Sequence, residues 1–227
     1  MGKKIGTLVF LCLMWTVIGF AAESGRWQWV DSTAHYTYYL DTETIGYDAA
    51  FQHATYWQKV IGLGAPEGTY NLYHIEINFV NKTGRSNEYA TVKNGQVVRQ
   101  HTINNTYYYI HPNSVKEKEA NILASKFGLD SIYPQGEARW QWVKSTDKMS
   151  LYVLRDAVTG DGEYCYIWAK WQPIDGNPWT TRYACSLTSR EMGYKSSPTY
   201  KVRMKQILPD TMEEAIYNAA LRTYQGR

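Results

Sequence analysis

RWQWVDST (26–33) and RWQWVKST (139–146) agree at seven of eight positions across a gap of 113 residues. A period that long lies outside the range of solenoid and propeller repeats and fits a duplicated domain. Outward from the two phrases the correspondence continues. WQWVDSTAHYTYYLDTETI, from Trp27, aligns with WQWVKSTDKMSLYVLRDAV, from Trp140. Each reads as a short strand, a Ser-Thr turn and a second strand carrying Tyr39 or Tyr152. YWQK (56–59) and IWAK (167–170) supply a further strand in each copy, and the ends correspond too: PNSVKEKEANILASKFG from Pro112 and PDTMEEAIYNAALRTYQG from Pro209.

Both ends predict helices. Ser114 with Glu117, and Thr211 with Glu214, form the S/T-x-x-E capping box, in which the hydroxyl takes a first-turn amide and the carboxylate returns to the cap's own amide. Behind the boxes, Val115, Ile122, Leu123 and Phe127, and then Met212, Ile216, Ala219, Ala220 and Tyr224, make apolar stripes at helical spacing. Gly128 is placed to stop the first helix. Between opening strands and helix the pattern is β-like. TYNLYHIEINFV (69–80) puts Tyr73, Ile75, Ile77 and Phe79 on one face. YATVKNGQVVRQ (89–100) carries Asn94-Gly95, a two-residue hairpin signal; the second copy has only SREMGYKSS (189–197) there. A half-apolar sheet needs a cover, and each terminal helix is the local partner able to supply it. The expected class is therefore α+β: two tandem domains, 23–130 and 137–227, each an antiparallel sheet with a C-terminal helix packed on one face. The seam falls in GLDSIYPQGEA (128–138), and each unit is long enough for a modest core of its own.

The first 22 residues read as a signal peptide rather than domain material. Lys3 and Lys4 precede sixteen uncharged residues, Ile5 to Phe20, and Gly19 and Ala21 give the small residues that cleavage near Ala21 or Ala22 requires. As an uncleaved anchor the apolar run would span only about 24 Å, short of a bilayer core near 30 Å, so no integral membrane span is expected after cleavage. Leu11, ahead of Cys12, is not the small residue a lipoprotein signal uses. Cleavage takes the formal charge from +3 to about +1, too small an excess for a nucleic-acid partner. It leaves two cysteines, Cys165 and Cys185, an even pair that favours a disulfide in an exported chain.

The order W-x-W-V-x-S-T, a Tyr-bearing strand, W-x-K, an N-G-x-V-V hairpin, then P-x-S/T-x-x-E and a terminal helix resembles the surface-adhesin protein E type of domain, over nearly all of the mature chain. The resemblance implies export by a Gram-negative bacterium, with one or several copies of a sheet whose C-terminal helix packs on its concave side. It places the chain in the periplasm, at the cell surface or outside the cell. In such domains a cysteine pair often ties the helix to the sheet; here neither helix holds a cysteine.

Four groups of residues could carry chemistry. YCYIWAKWQPIDGNPWTTRYACSL (164–187) is two β-like runs about a turn. Centred on Asp175, it sets Cys165 against Cys185, Trp168 against Arg182, and Trp171 against Trp179. Opposed strand residues are close enough for a disulfide, worth about 3 kcal/mol for a loop of this size; a redox-active pair would want CxxC-type spacing. Tyr164, Tyr166 and Trp168 share the opposite face from Cys165, Ile167 and Ala169, and with Arg182 they could stack on a sugar or a protein partner. The competing reading has a helix and the neighbouring domain cover them. YYY (107–109) must place aromatics on both faces of a strand, and Trp57 fits either face.

YKVRMK (200–205) puts Lys201, Arg203 and Lys205 on one strand face, either to meet an anionic polymer or, the favoured reading, as a solvated edge that discourages strand pairing. His35, His53, His74, His101 and His111 all fall in the first copy without HxH or HxxxH spacing, so separate imidazoles are favoured over a metal site. No cofactor is implied. GxSxG, HExxH and Walker patterns are missing, and Glu213-Glu214 suits a helix first turn; two distant carboxylates of a glycosidase stay open. The function expected is an exported, non-catalytic, adhesin-like binding protein for an extracellular protein or glycan. The alternatives are a structural envelope protein whose tandem domains self-associate and, third, a secreted hydrolase.

Overall fold

The alternating segments pair into two antiparallel sheets. In the computed structural model, which describes residues 25–103 and 105–226, the first sheet holds β1 (Trp27–Ser32), β2 (Tyr36–Asp41), β3 (Gly46–Asp48), β4 (His53–Gly62), β5 (Thr69–Asn78), β6 (Thr83–Lys93), β7 (Gln96–Thr102) and β8 (Tyr108–Tyr109). Its order is β1-β2-β4-β5-β6-β7, with β3 on β4 and β8 on β6. After helix α1 (Val115–Lys126) come β9 (Gln141–Ser145), β10 (Met149–Val153), β11 (Thr159–Gly160), β12 (Tyr164–Pro173), β13 (Trp179–Ser186), β14 (Glu191–Tyr194) and β15 (Lys205–Gln206), then helix α2 (Met212–Gln225). The second sheet runs β15-β14-β13-β12-β10-β9, with β11 on β12. The architecture is mostly β, with one helix at the C-terminus. Among the described residues no helix is long and apolar enough to cross a membrane. The predicted signal peptide, 1–22, lies outside the described residues.

Local chemistry sets the turns and helix ends. Asn94 and Gly95 take φ of 50° and 76°, the left-handed pair of a tight hairpin, and Lys93 faces Gln96 across it. Ser114 Oγ accepts the Glu117 amide at 3.2 Å, and Thr211 Oγ1 accepts the Glu214 amide at 3.2 Å. The carboxylates go one residue further back than the capping-box reading has it. Glu117 accepts from the Asn113 amide at 2.6 Å and Glu214 from the Asp210 amide at 2.7 Å. The reason is conformational: Asn113 and Asp210 both have positive φ, 67° and 61°, which turns their N–H groups toward the helix. Past α1, Gly128 at φ 69° lets Leu129 N–H reach Ala124 O at 2.8 Å and Gly128 N–H reach Ser125 O at 3.3 Å, a Schellman stop.

Each helix covers one sheet face. Ala120, Leu123 and Ala124 of α1 pack with Ala54, Tyr56, Ile75 and Ile77. Ile216, Ala219 and Ala220 of α2 pack with Leu151, Val153, Cys165 and Ile167. The other face explains the repeated phrase. In the N-terminal half the Lys59 ammonium sits 4.6 Å from the Trp27 ring and 5.2 Å from that of Tyr39. In the C-terminal half the Lys170 ammonium sits 5.3 Å from Trp140 and 4.9 Å from Tyr152. Tyr and Lys come from neighbouring strands and Trp from the first strand or, for Trp140, the residue just before it, so each half is tied together by the same cation–π stack. The second tryptophan of each phrase recurs as well. Trp29 donates Nε1–H to Ser32 Oγ at 3.2 Å and Trp142 to Ser145 Oγ at 2.8 Å, and both indoles are exposed.

The two apolar clusters do not divide cleanly at the predicted seam. Trp140, Leu154, Ala157 and Trp168 of the C-terminal half belong to the cluster built on α1. The seam itself is packed: Ile132 and Tyr133 are buried, the Ile132 amide donates to Asn121 Oδ1 at 3.1 Å, and Tyr133 Oη donates to Ile110 O at 2.8 Å.

Candidate binding cleft between the two sheets

The β12–β13 hairpin forms in the register its turn dictates: Cys165 faces Cys185, Trp168 faces Arg182, and Trp171 faces Trp179, the last pair stacked at 6.1 Å. Alternation then sorts the side chains. Cys165, Ile167 and Ala169 are buried under α2, while Tyr164, Tyr166 and Trp168 point the other way. The expected disulfide is not formed here: Cys165 and Cys185 are both free and buried. A hydrogen bond with Cys165, followed by burial, holds the Cys185 thiol well above the usual range.

The Tyr166 face of the hairpin looks onto the N-terminal half, and between them lies a cleft of about 620 Å3. Its walls come from the β5–β6 turn (Asn78, Val80, Asn81, Lys82, Thr83), from Tyr107 and Tyr109 around β8, from Tyr133 of the seam, and from Thr159, Tyr166, Trp168 and Arg182 of the C-terminal half. The YYY run puts Tyr107 and Tyr109 on this wall. Tyr108 points to the opposite side, where burial, with the nearby Glu119 carboxylate adding to it, raises its phenol far above the ordinary value. The volume falls in the range of small-molecule pockets, and the walls are aromatic with a few amides and hydroxyls among them.

Charge in the cleft is one-sided. The Arg182 guanidinium lies 3.9 Å from the Tyr109 ring centroid and 4.7 Å from that of Tyr166. Its Nη2 donates to Thr159 Oγ1 at 3.3 Å, and its buried Nη1 finds no hydrogen-bond acceptor among the described residues. The Lys82 ammonium sits 4.9 Å from the Tyr133 ring; burial, and then the positive charge of Arg182, hold it below the usual lysine range. Behind Tyr107 lies a carboxylate already engaged. Glu76 accepts from the Tyr107 hydroxyl and from Arg85 Nη2 at 2.7 Å, with His53 Nδ1 at 3.4 Å. Burial alone would raise the Glu76 carboxyl, but the bonds from Tyr107, Arg85 and Asn87 outweigh it and leave it lowered.

The residues singled out from sequence do not form one site. Tyr166, Trp168 and Arg182 line the cleft. Trp168, only 2% exposed, offers the cleft little surface, with His111 and Tyr133 packed on it at 4.7 and 6.3 Å. Arg182 stacks on Tyr109 and Tyr166, not on the Trp168 opposite it. Tyr164 lies outside the cleft, half-buried. YKVRMK is not a strand along its length; only Lys205 pairs, with Met192. The chain crosses Gly193 so closely that a Cβ there would sit 2.5 Å from Arg203 O, which ends the ladder. Lys201, Arg203 and Lys205 are exposed at this edge, and Arg203 and Lys205 border a separate hollow of about 280 Å3 beside Tyr183 and Gly193.

Trp57 falls on the face away from α1, beside His74 at 5.2 Å. Of the histidines, His53 alone borders the cleft. Among the described residues no three His, Cys, Asp or Glu side chains group as metal ligands. Sequence reasoning missed Lys82, Tyr109 and Tyr133 as partners of Arg182: each reaches the cleft by packing between halves, which no local pattern announces.

No family model, no curated protein and no solved structure matches this chain.

Proposed function

We propose that the chain is an exported, non-catalytic binding protein of the adhesin E-like kind, held in the periplasm, at the cell surface or outside the cell, and that its ligand is a glycan seated in the cleft between the sheets. In this reading it is an α+β protein of two tandem units, 23–130 and 137–227, released from a signal peptide, with Cys165 and Cys185 joined after export. The doubling is supported by matched detail: the two Trp–Tyr–Lys stacks, the two left-handed residues ahead of the helix caps, and the two Trp-to-Ser indole bonds.

One observation carries the ligand assignment: Tyr107, Tyr109, Tyr133 and Tyr166 converge on one cleft with Asn78, Asn81, Thr83 and Thr159 between them. Aromatic rings pack against the C–H faces of sugar rings, and amides and hydroxyls meet their hydroxyls. The test is a binding screen of the mature chain against envelope and extracellular glycans, with extracellular-matrix proteins as the competing class. A glycan hit that weakens about fivefold in Tyr166→Ala, the loss of about 1 kcal/mol of stacking, supports the assignment. Binding to matrix proteins alone, untouched by Tyr166→Ala, overturns it.

Self-association is the second reading, favoured by one feature: β7 is an outer edge exposed along its whole length, a template for pairing with another chain. Light scattering that finds a monomer at high concentration rules it out.

A further inference from the structure

The cleft lining contains, among the described residues, Lys82, Arg182 and His53 but no aspartate or glutamate. Among the described residues neither Lys82 nor Arg182 has a carboxylate partner. The acids close by are committed elsewhere. Glu76 is bound by Arg85 and Tyr107. Asp161, exposed outside the cleft, accepts from Tyr166 Oη at 2.5 Å and from the amides of Glu163 and Tyr164 at 3.1 and 2.9 Å. Lys195, the other cation nearby, is capped by the carbonyls of Pro198 and Tyr200 at 3.2 and 2.9 Å. Two cations thus share a partly dry cleft with no counter-charge, although charges taken from water are ordinarily paired. Arg182 offers five N–H donors and has one placed on Thr159, while its guanidinium lies over two tyrosine rings. A guanidinium fixed in this way is pre-organised for a planar oxyanion.

We infer that the cleft selects acidic sugars, the carboxylate held by Arg182 and Lys82 and the ring resting beside them on the tyrosine-lined wall. This rests on the glycan reading above and adds the charge of the ligand. Neutral glycans would use the same aromatic wall without engaging the cations.

The experiment is a calorimetric titration of the mature chain with D-glucuronate, D-glucose, acetate and inorganic phosphate. Glucuronate should bind at least about tenfold tighter than glucose, a difference of about 1.4 kcal/mol, and tighter than acetate or phosphate. Arg182→Gln and Lys82→Gln should each remove most of that preference, read as the ratio of glucuronate to glucose affinity within the same variant. Should a variant fail to fold, the unsubstituted protein still decides. The preference must shrink as salt rises from about 0.01 M to about 1 M, over which the screening length falls from about 30 Å to about 3 Å. Equal binding of glucuronate and glucose overturns the inference and leaves the glycan reading standing. Acetate or phosphate binding as tightly as glucuronate makes the cleft a plain anion site and overturns it too. No binding of any probe overturns it, and the fate of the glycan reading is then decided by the screen of neutral glycans.

Discussion

Arg139 and Glu117 form a buried bidentate ion pair, Nη1 to Oε1 at 2.6 Å and Nη2 to Oε2 at 3.1 Å, with side chains 6% and 4% exposed. Glu117 caps α1, and Arg139 opens the second RWQW phrase. The pair therefore clamps the end of the N-terminal half to the start of the other. In the first phrase Arg26 sits in the corresponding place and pairs with Asp41 at 2.7 Å, inside its own sheet. Arg139→Met leaves Glu117 as a buried charge whose partner is gone, and urea unfolding should show a loss of about 3–5 kcal/mol. The double substitution Arg139→Met with Glu117→Met should lose less than the single one, because no orphan charge remains. A double mutant less stable than Arg139→Met would contradict this account.

Glu76 gives the acid limb of stability a specific origin. Its carboxyl is held below the ordinary range by the Tyr107, Arg85 and Asn87 bonds, against the upward push of burial. A group with a depressed folded value contributes stability that is fully present above its unfolded value, about 4.3, and is lost as pH falls through the folded one. Glu76→Gln should therefore be less stable than the unsubstituted protein at neutral pH. The gap should close on acidification below about pH 4. Unfolding midpoints measured from neutral to acid pH check it, and a gap that holds constant removes Glu76 as the cause.

Gly193 decides where the second sheet ends. Its missing side chain lets the 202–203 segment cross at backbone contact, and an added Cβ would meet Arg203 O at 2.5 Å and Val202 Cγ1 at 2.6 Å. A backbone atom cannot swing aside like a side-chain tip. Gly193→Ala should accordingly cost about 1–3 kcal/mol and raise amide exchange at Lys205 and Gln206, which pair with β14. Unchanged exchange and stability would mean that the crossing gives way freely.

What was legible in the sequence is what short-range chemistry decides. Ser114 and Thr211 mark their helix starts because a hydroxyl and an amide three residues on meet within one turn. The β12–β13 register was legible because PIDGNP fixes its centre. The repeated phrase pointed to like units, but its physical content, Trp27 and Tyr39 on Lys59, needs three strands brought together. The cleft was half legible. Tyr166 and Arg182 follow from the hairpin, whereas Lys82 and Tyr133 arrive from a turn and a seam whose positions depend on how the halves dock. YKVRMK misled because its alternation survives as alternating exposure while Gly193 prevents the pairing that would make it a strand. Glu119 shows the same limit: it is fully buried in α1, accepting from Tyr56 Oη at 2.5 Å and Lys116 Nζ at 2.8 Å, although helix periodicity alone assigns a glutamate to the surface.

Cys165 and Cys185 stand opposite each other on adjacent strands, beneath α2 and out of solvent. As thiols they are shielded by burial, so a thiol reagent should label the reduced, folded protein slowly and the unfolded protein fully. In an oxidising compartment the same placement favours closure, since directly opposed strand positions need little backbone movement to join. Protein recovered after export should be lighter by two hydrogens than the reduced chain and should resist labelling even when unfolded. Closing the loop should add about 3 kcal/mol to stability, a gain absent from Cys165→Ala, which can only be compared fairly with the reduced protein because it also leaves a small cavity. Two free thiols in the exported protein, reactive once it is unfolded, would show that the pair serves the core as packing and not as a cross-link.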